Sequence, residues 1–215
     1  MVKMPKRAAT AISRAASLPL VGSEIAFDLT NTSSGRGGPR HLEHLRTAED
    51  VIRWARHARI INPSEAAWLE TEAAKYSVLA RRLLKRTLEL REIIYKIGAE
   101  LAAGKLAPGH QIDELTQIHA SCIARAKLVP HGSAFVWSWL AEDGPVERIL
   151  GPIALSALTL LTQANLSRIK QCQGDHCGWI FFDTTKNKSR RWCEMEVCGN
   201  RAKQKRLQAA KKHQN

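Results

Sequence analysis

Two cysteine pairs near the C-terminal end restrict this chain more than any other feature. Four residues separate Cys172 from Cys177, four separate Cys193 from Cys198, and fifteen lie between the pairs. Two thiolate pairs joined by an insert of hairpin length can converge on one tetrahedral Zn2+. A glycine follows the second cysteine of each pair, Gly178 and Gly199. A metal-wrapping loop brings backbone N–H groups close to sulfur, often at positive φ, where a Cβ would clash. Two disulfides are the first alternative, but they need an oxidising compartment, and no secretory signal places the chain in one. A thioredoxin-like pair has two intervening residues rather than four. Free thiols are the remaining alternative. His176, next to Cys177, is a rival ligand, although adjacent residues rarely both reach one ion. The expectation is one structural zinc held by Cys172, Cys177, Cys193 and Cys198.

Charge points at the same end. The 215 residues carry 33 Lys/Arg and 20 Asp/Glu, a net charge of +13, and residues 168–215 hold 12 of the cations and 4 of the acids. Crowding of one sign beside a metal module favours a polyanionic partner. Lys3, Lys6, Arg7 and Arg14 precede the first acid, Glu24, so residues 1–19 read as a mobile basic arm. No uninterrupted apolar run of about 18 residues is present, so no membrane partner and a cytoplasmic location are expected.

Residues 20–169 read as a mainly helical body with a small β-sheet. Residues 20–34 alternate imperfectly and predict an extended segment that turns at Asn31 and Thr32. Thr47 and Asp50 form a capping-box pair that opens a helix, and Asn62-Pro63 with Glu65 opens another. Leu79, Leu83, Arg86, Leu90 and Ile94 recur at helical spacing on the way to Ala103. A helix is predicted from His110 to Ala124, an extended stretch over residues 127–139, and a last helix from Pro152 to Arg168. This body is expected to keep its own core if the metal module is lost.

Residues 170–215 form the metal module. The run Gly178–Asp183 predicts a strand, residues 184–189 a turn, and Arg190–Cys193 the returning strand of a hairpin. Asn200 is a candidate N-cap for a helix rich in Lys and Arg. Hairpin plus helix make a treble-clef-like finger, and Arg190, Arg191, Arg201, Lys203, Lys205 and Arg206 are the candidate nucleic-acid contacts. Charges all round the helix suit phosphates better than base edges. Trp179 and Trp192 read as a miniature core next to the metal, with base stacking as the alternative.

Residues 172–206 resemble the CGNR zinc finger, through Cys198-Gly199-Asn200-Arg201 and the flanking Phe181-Phe182-Asp183-Thr184-Thr185 and Arg190-Arg191-Trp192-Cys193. Phe27-Asp28-Leu29-Thr30-Asn31-Thr32 and the helical run to Arg168 are similar to the ABATE domain that usually precedes this finger, with Leu29-Thr30 where the family carries Phe-Val. The resemblance implies a bacterial protein of the kind assigned as stress-induced transcriptional regulators, with double-stranded DNA as the expected partner. The other functional classes are an adaptor docking its finger on an acidic protein surface, and an RNA-binding protein.

No metalloprotease spacing, nucleophile elbow or phosphate-binding glycine loop is found, so an enzyme is not expected. Asp28, Asn31 and Arg40 are the candidate pocket for a small-molecule effector, the alternative being that Asn31 and Thr32 only turn the chain. Cys122 lies on an apolar helical face and reads as core. A homodimer is a candidate assembly.

Overall fold

The computed structural model describes residues 13–36, 38–39 and 41–212. Seven α-helices and three short antiparallel ribbons follow one another along them. In chain order these are α1 (Ile25–Thr30), β1 (Ser33–Ser34), β2 (Leu42–Glu43), α2 (Ala48–His57), α3 (Pro63–Lys75), α4 (Ser77–Ala102) and α5 (Gly109–Ile123). Then come β3 (Lys127–His131), β4 (Ala134–Ser138), α6 (Pro145–Gln163), β5 (Ile169–Gln171), β6 (Ile180–Phe182) and α7 (Asn200–Lys212). The mainly α fold class holds, with the strand content spread over three two-stranded ribbons.

The helix starts are local chemistry. Thr47 and Asp50 form a reciprocal capping box at α2, and Asn62 and Glu65 do the same at α3, with Pro63 in the first turn. The run expected to continue from Asn62 to Ala103 breaks at Tyr76, whose φ −117 and ψ 94 are extended. The 26-residue α4 that follows is the axis of the body; the other body helices and the β5–β6 ribbon all pack on it. Its Leu83, Leu90, Ile94 and Ile97 meet Trp54 of α2, Leu29 of α1, Leu115 of α5 and Ile149, Leu150 and Ile153 of α6 in one buried core. Arg86, read as part of that stripe, is only half-buried. By length and composition α6 is apolar enough to cross a membrane, but its inner face fills this core, as a core helix does.

Three expectations are corrected. Residues 20–34 are not an extended segment, because α1 occupies Ile25–Thr30 and only Ser33–Ser34 is strand. Residues 26–33 are buried on every side, so no one-faced helical period was there to read. The last body helix begins at Pro145 rather than Pro152; Pro145 takes the first turn and Pro152 lies inside the helix. The basic arm falls largely outside the described residues, but from Ser13 it is not free: Ala15 and Leu18 are buried in the core and His57 Nε2 contacts the Leu18 carbonyl at 2.7 Å.

The metal module is not independent of the body either. Ile169 and Ile180 belong to the main core, and Ile180 is 0% exposed. A Cβ on Gly98 of α4 would stand 3.1 Å from both Ile180 Cδ1 and Phe27 Cε1, so the missing side chain lets ribbon and α1 close onto the helix. Loss of the metal therefore acts on a shared core.

Candidate metal centre and the basic groove beside it

The first cysteine pair sits where β5 turns back to β6. The strands pair antiparallel with Gln171 opposite Ile180, and Cys172 N–H donates to the Trp179 carbonyl at 2.8 Å, narrowing the ribbon into a knuckle. This corrects the expected hairpin, since β6 pairs with Ile169–Gln171 before the cysteines and not with Arg190–Cys193. The later segment returns as irregular chain, tied by the Gln173 N–H to the Arg191 carbonyl at 3.1 Å. Of the second pair, Cys193 lies in a bend just before a π-helical turn, Met195–Gly199, which carries Cys198 and runs straight into α7. Asn200 is therefore inside the helical path rather than capping it, and its Nδ2 donates to the Glu196 carbonyl at 3.0 Å.

The four Sγ atoms lie within 4.8 Å of one another, with Cys177–Cys193 at 3.7 Å and Cys193–Cys198 at 3.6 Å. Tetrahedral Zn–S bonds of about 2.3 Å place sulfurs about 3.8 Å apart, so the spacing fits one zinc ion. Four thiols this close cannot all ionise against one another's charge, and a divalent cation removes that repulsion. Cys172, Cys193 and Cys198 are buried and Cys177 half-buried, which suits a closed structural shell. His176 is not among the converging ligands; its side chain lies against Gly38. Gly178 takes φ +72, the positive value expected after a wrapping cysteine. Gly199 is helical instead, and the glycine the sulfurs need is Gly174, whose N–H donates to Cys172 Sγ at 3.4 Å and whose Cβ would lie 2.9 Å from Cys198 Sγ.

Behind the cluster Asp183, 0% exposed, organises the loop that follows β6. Its Oδ1 accepts the Thr185 N–H at 2.9 Å and hydroxyl at 2.6 Å, and its Oδ2 accepts Lys170 Nζ at 2.7 Å and the Arg190 N–H at 3.0 Å. Burial alone would raise its pKa, but Lys170 and these hydrogen bonds outweigh it and hold the carboxyl well below the usual range. Lys170 also donates to the Lys188 carbonyl. Arg190, proposed from sequence as a nucleic-acid contact, is taken up inside the module. Its guanidinium donates to the carbonyls of Val21, Trp192 and Cys193 and lies 4.1 Å from the Phe181 ring centroid.

The other cations behave differently. Arg191, Arg201, Lys205 and Arg206 line a groove of about 430 Å3 between the knuckle and the first two turns of α7, with Trp192 in its wall. All four are exposed. Arg191 Nε donates to Gln173 Oε1 at 2.8 Å and its guanidinium stands 5.8 Å from the Trp192 ring. Lys205 reaches Asp175 at 2.5 Å, an exposed pair of small energetic weight that leaves the ammonium exchangeable. Lys203 is exposed on α7 outside the groove lining. Trp179 belongs to the interface with the body, its Nε1–H donating to the Ser33 carbonyl at 3.2 Å.

The candidate effector pocket is a clasp. Asn31 Nδ2 donates to the Ile180 carbonyl at 2.9 Å while its Oδ1 accepts the Ile180 N–H at 3.0 Å, consuming the amide on the metal ribbon's backbone. Asp28 Oδ1 accepts the Gly22 N–H at 2.8 Å, and Gly22 in turn accepts the Phe182 N–H at 2.9 Å. Burial pushes the Asp28 carboxyl up to about 6. Arg40 lies outside the described residues. The cavity beneath α1, lined by Phe27, Ile94, Leu115 and Leu160 among others, holds about 10 Å3, too little for an effector. Cys122 is core as expected, and burial pushes its thiol up to about 11.

Sequence reasoning missed Asn31 as a clasp and Asp183 as a hub. Asp-x-Thr at 183–185 is an Asx-turn pattern that pointed to the second. It also missed the buried Arg91, which donates to Glu43 at 2.7 and 2.6 Å and holds the β1–β2 ribbon on α4.

A helical body carrying a four-cysteine, zinc-finger-type module is the class this arrangement defines. Comparison with family models assigns both parts. Residues 23–164 match ABATE, described as "Putative stress-induced transcription regulator", and residues 168–211 match the CGNR zinc finger. The chain belongs to the ABATE family. A search of curated proteins returns no match.

Proposed function

We propose that this chain is a cytoplasmic transcription regulator without enzymatic activity, whose zinc-shaped groove contacts the phosphate backbone of double-stranded DNA. The observation that carries the proposal is the convergence of Arg191, Arg201, Lys205 and Arg206 on one groove beside the four cysteines. A rigid metal loop holds these cations in place before binding, so less ordering entropy is lost on contact. Arg190 is left out of the contact set, because its donors already serve protein carbonyls. Lys203 adds charge on the flank of α7. Four closed thiolate ligands leave a metal no open position for substrate, which supports a structural role for the ion.

Titration of labelled duplex DNA and single-stranded RNA with zinc-loaded protein tests this at two salt concentrations. Four phosphate contacts predict about a 100-fold loss of duplex affinity between 50 and 200 mM salt. Arg201→Ala with Lys205→Ala should weaken binding, lower the salt slope by about two and leave the metal in place. Tighter binding to RNA would transfer the groove to that polymer. No binding to either at low salt would refute the proposal in favour of an adaptor that docks on acidic protein.

A further inference from the structure

The hairpin of β3 and β4 is the least expected surface of the molecule. Its two strands pair with each other through Leu128↔Trp137, Val129↔Val136 and Pro130↔Phe135, and among the described residues no third strand joins them. Leu128 is 55% exposed, Phe135 67% and Trp137 41%, and with Pro130 they share one face of the ribbon. The hairpin is firmly rooted. Trp139, just beyond β4, is buried with its Nε1–H on the Cys122 carbonyl at 2.8 Å and its indole against Gly151. An apolar ribbon held out from the body in this way is normally covered.

The register says by what. Gly132, at φ +60, and Ser133 form a two-residue turn, so His131 and Ala134 exchange hydrogen bonds and the pairs alternate from there. Val129–Val136 is then a bonded pair, whereas Pro130–Phe135 and Leu128–Trp137 point their backbone groups outward. On β3 the outward set is blunted, because Pro130 has no N–H. On β4 it is complete: Phe135 and Trp137 each present an N–H and a C=O to open space. That edge is self-complementary. Two β4 strands related by a two-fold axis at Val136 place Phe135 of each beside Trp137 of the other in bonded pairs, with Val136 facing its own copy in a non-bonded one.

Charge selects the occupant. Two copies of a +13 chain repel, and Ala134–Ser138 contains no charged residue, so this edge is where like-charged copies can approach. An acidic partner would be drawn to the cationic groove instead. We propose that the β4 edge pairs with the β4 edge of a second copy of this chain, joining two hairpins into a four-stranded antiparallel sheet across a two-fold dimer. The proposal does not depend on the nucleic-acid reading of the groove. Phe135 and Trp137 offer on the order of 100 Å2 of surface each, so the contact is at the small end of specific interfaces and the dimer forms with concentration.

Sedimentation velocity on the full zinc-loaded chain, from roughly 1 to 200 µM, tests this. The expected result is a shift from one chain to two across that range. Phe135→Lys with Trp137→Lys sets lysine opposite lysine twice and should move the midpoint upward by at least about 30-fold, with helix content and zinc stoichiometry unchanged. Val136→Cys supplies an arm that does not rely on that double variant folding. Non-bonded partners stand about 4.5 Å apart at Cα, within disulfide reach, so mild oxidation should link two chains through position 136, while Leu128→Cys gives no link. A chain monomeric throughout, alone or with a different protein seated on the hairpin, overturns the proposal. So does a dimer indifferent to the lysines, or one that cross-links through position 128 rather than 136.

Discussion

Replacing Asn31 by alanine removes the one side chain that satisfies both backbone groups of Ile180. Asn31 is 2% exposed and Ile180 0%, so water has little access to the groups left behind. A buried donor or acceptor stripped of its partner costs about 1–3 kcal/mol, which puts the pair at about 2–6 kcal/mol. That is a large share of the ~5–15 kcal/mol that holds a domain folded. For a chain of this size it corresponds to a fall in Tm of about 5–15 °C. Because Ile180 lies in the body's core while its neighbours carry the metal, the loss should appear in one transition rather than in the finger alone. Urea and thermal unfolding at saturating zinc, followed by both circular dichroism and tryptophan fluorescence, gives the value. Asn165→Ala is the control, since the Asn165 side chain accepts the exposed Ser167 N–H and hydroxyl, groups that water can reach, and the change should cost no more than about 1 kcal/mol. An Asn31→Ala protein within about 0.5 kcal/mol of the parent, or one melting in two separate steps, would refute the clasp.

Asp28→Asn should stabilise the protein at neutral pH. The Asp28 carboxyl rises from an ordinary 3.8 to about 6 in the fold, so between those values the folded state holds a proton that the unfolded chain has released. Stability from this group is therefore highest at low pH and falls as pH rises through that window, by at most about 3 kcal/mol. The amide keeps the Gly22 contact without the charge, so its advantage over the parent should grow from pH 4 to 6 and then level off; an advantage flat across pH contradicts this. Asp183→Ala leaves Lys170 and the Thr185 and Arg190 N–H groups without their acceptor. It should cost about 3–5 kcal/mol, and competition with a chromophoric chelator should show zinc held about 10–100-fold more weakly. Unchanged zinc affinity would separate Asp183 from the metal loop. Chelation of the parent's zinc should lower the urea midpoint of the helical body too, because Ile169 and Ile180 sit in its core; a body transition unmoved by chelator would show the core is not shared.

What could be read from the sequence was what lies close along it. The capping pairs Thr47/Asp50 and Asn62/Glu65 are three residues apart and were legible, as was the four-residue cysteine spacing. Helix α1 was not, because a six-residue helix buried on every side carries no one-faced period. The partner of β6 was misassigned because the strand before the cysteines and the segment after the turn are both plausible in local composition, and only the core position of Ile169 decides between them. Arg190 read as a free cation beside Arg191, yet the distant Val21 carbonyl and the nearby Trp192 and Cys193 carbonyls claim it while its neighbour stays exposed. Asn31 showed its turn chemistry but not its role, since its partner lies 149 residues away.

The account rests on one ion gathering four sulfurs and fixing the cations around them. Elemental analysis combined with zinc-edge X-ray absorption on freshly purified protein tests this most directly. The prediction is one zinc per chain with four sulfur neighbours at about 2.3 Å. Fewer than four sulfurs, a nitrogen in the shell, or well under one zinc per chain would contradict it.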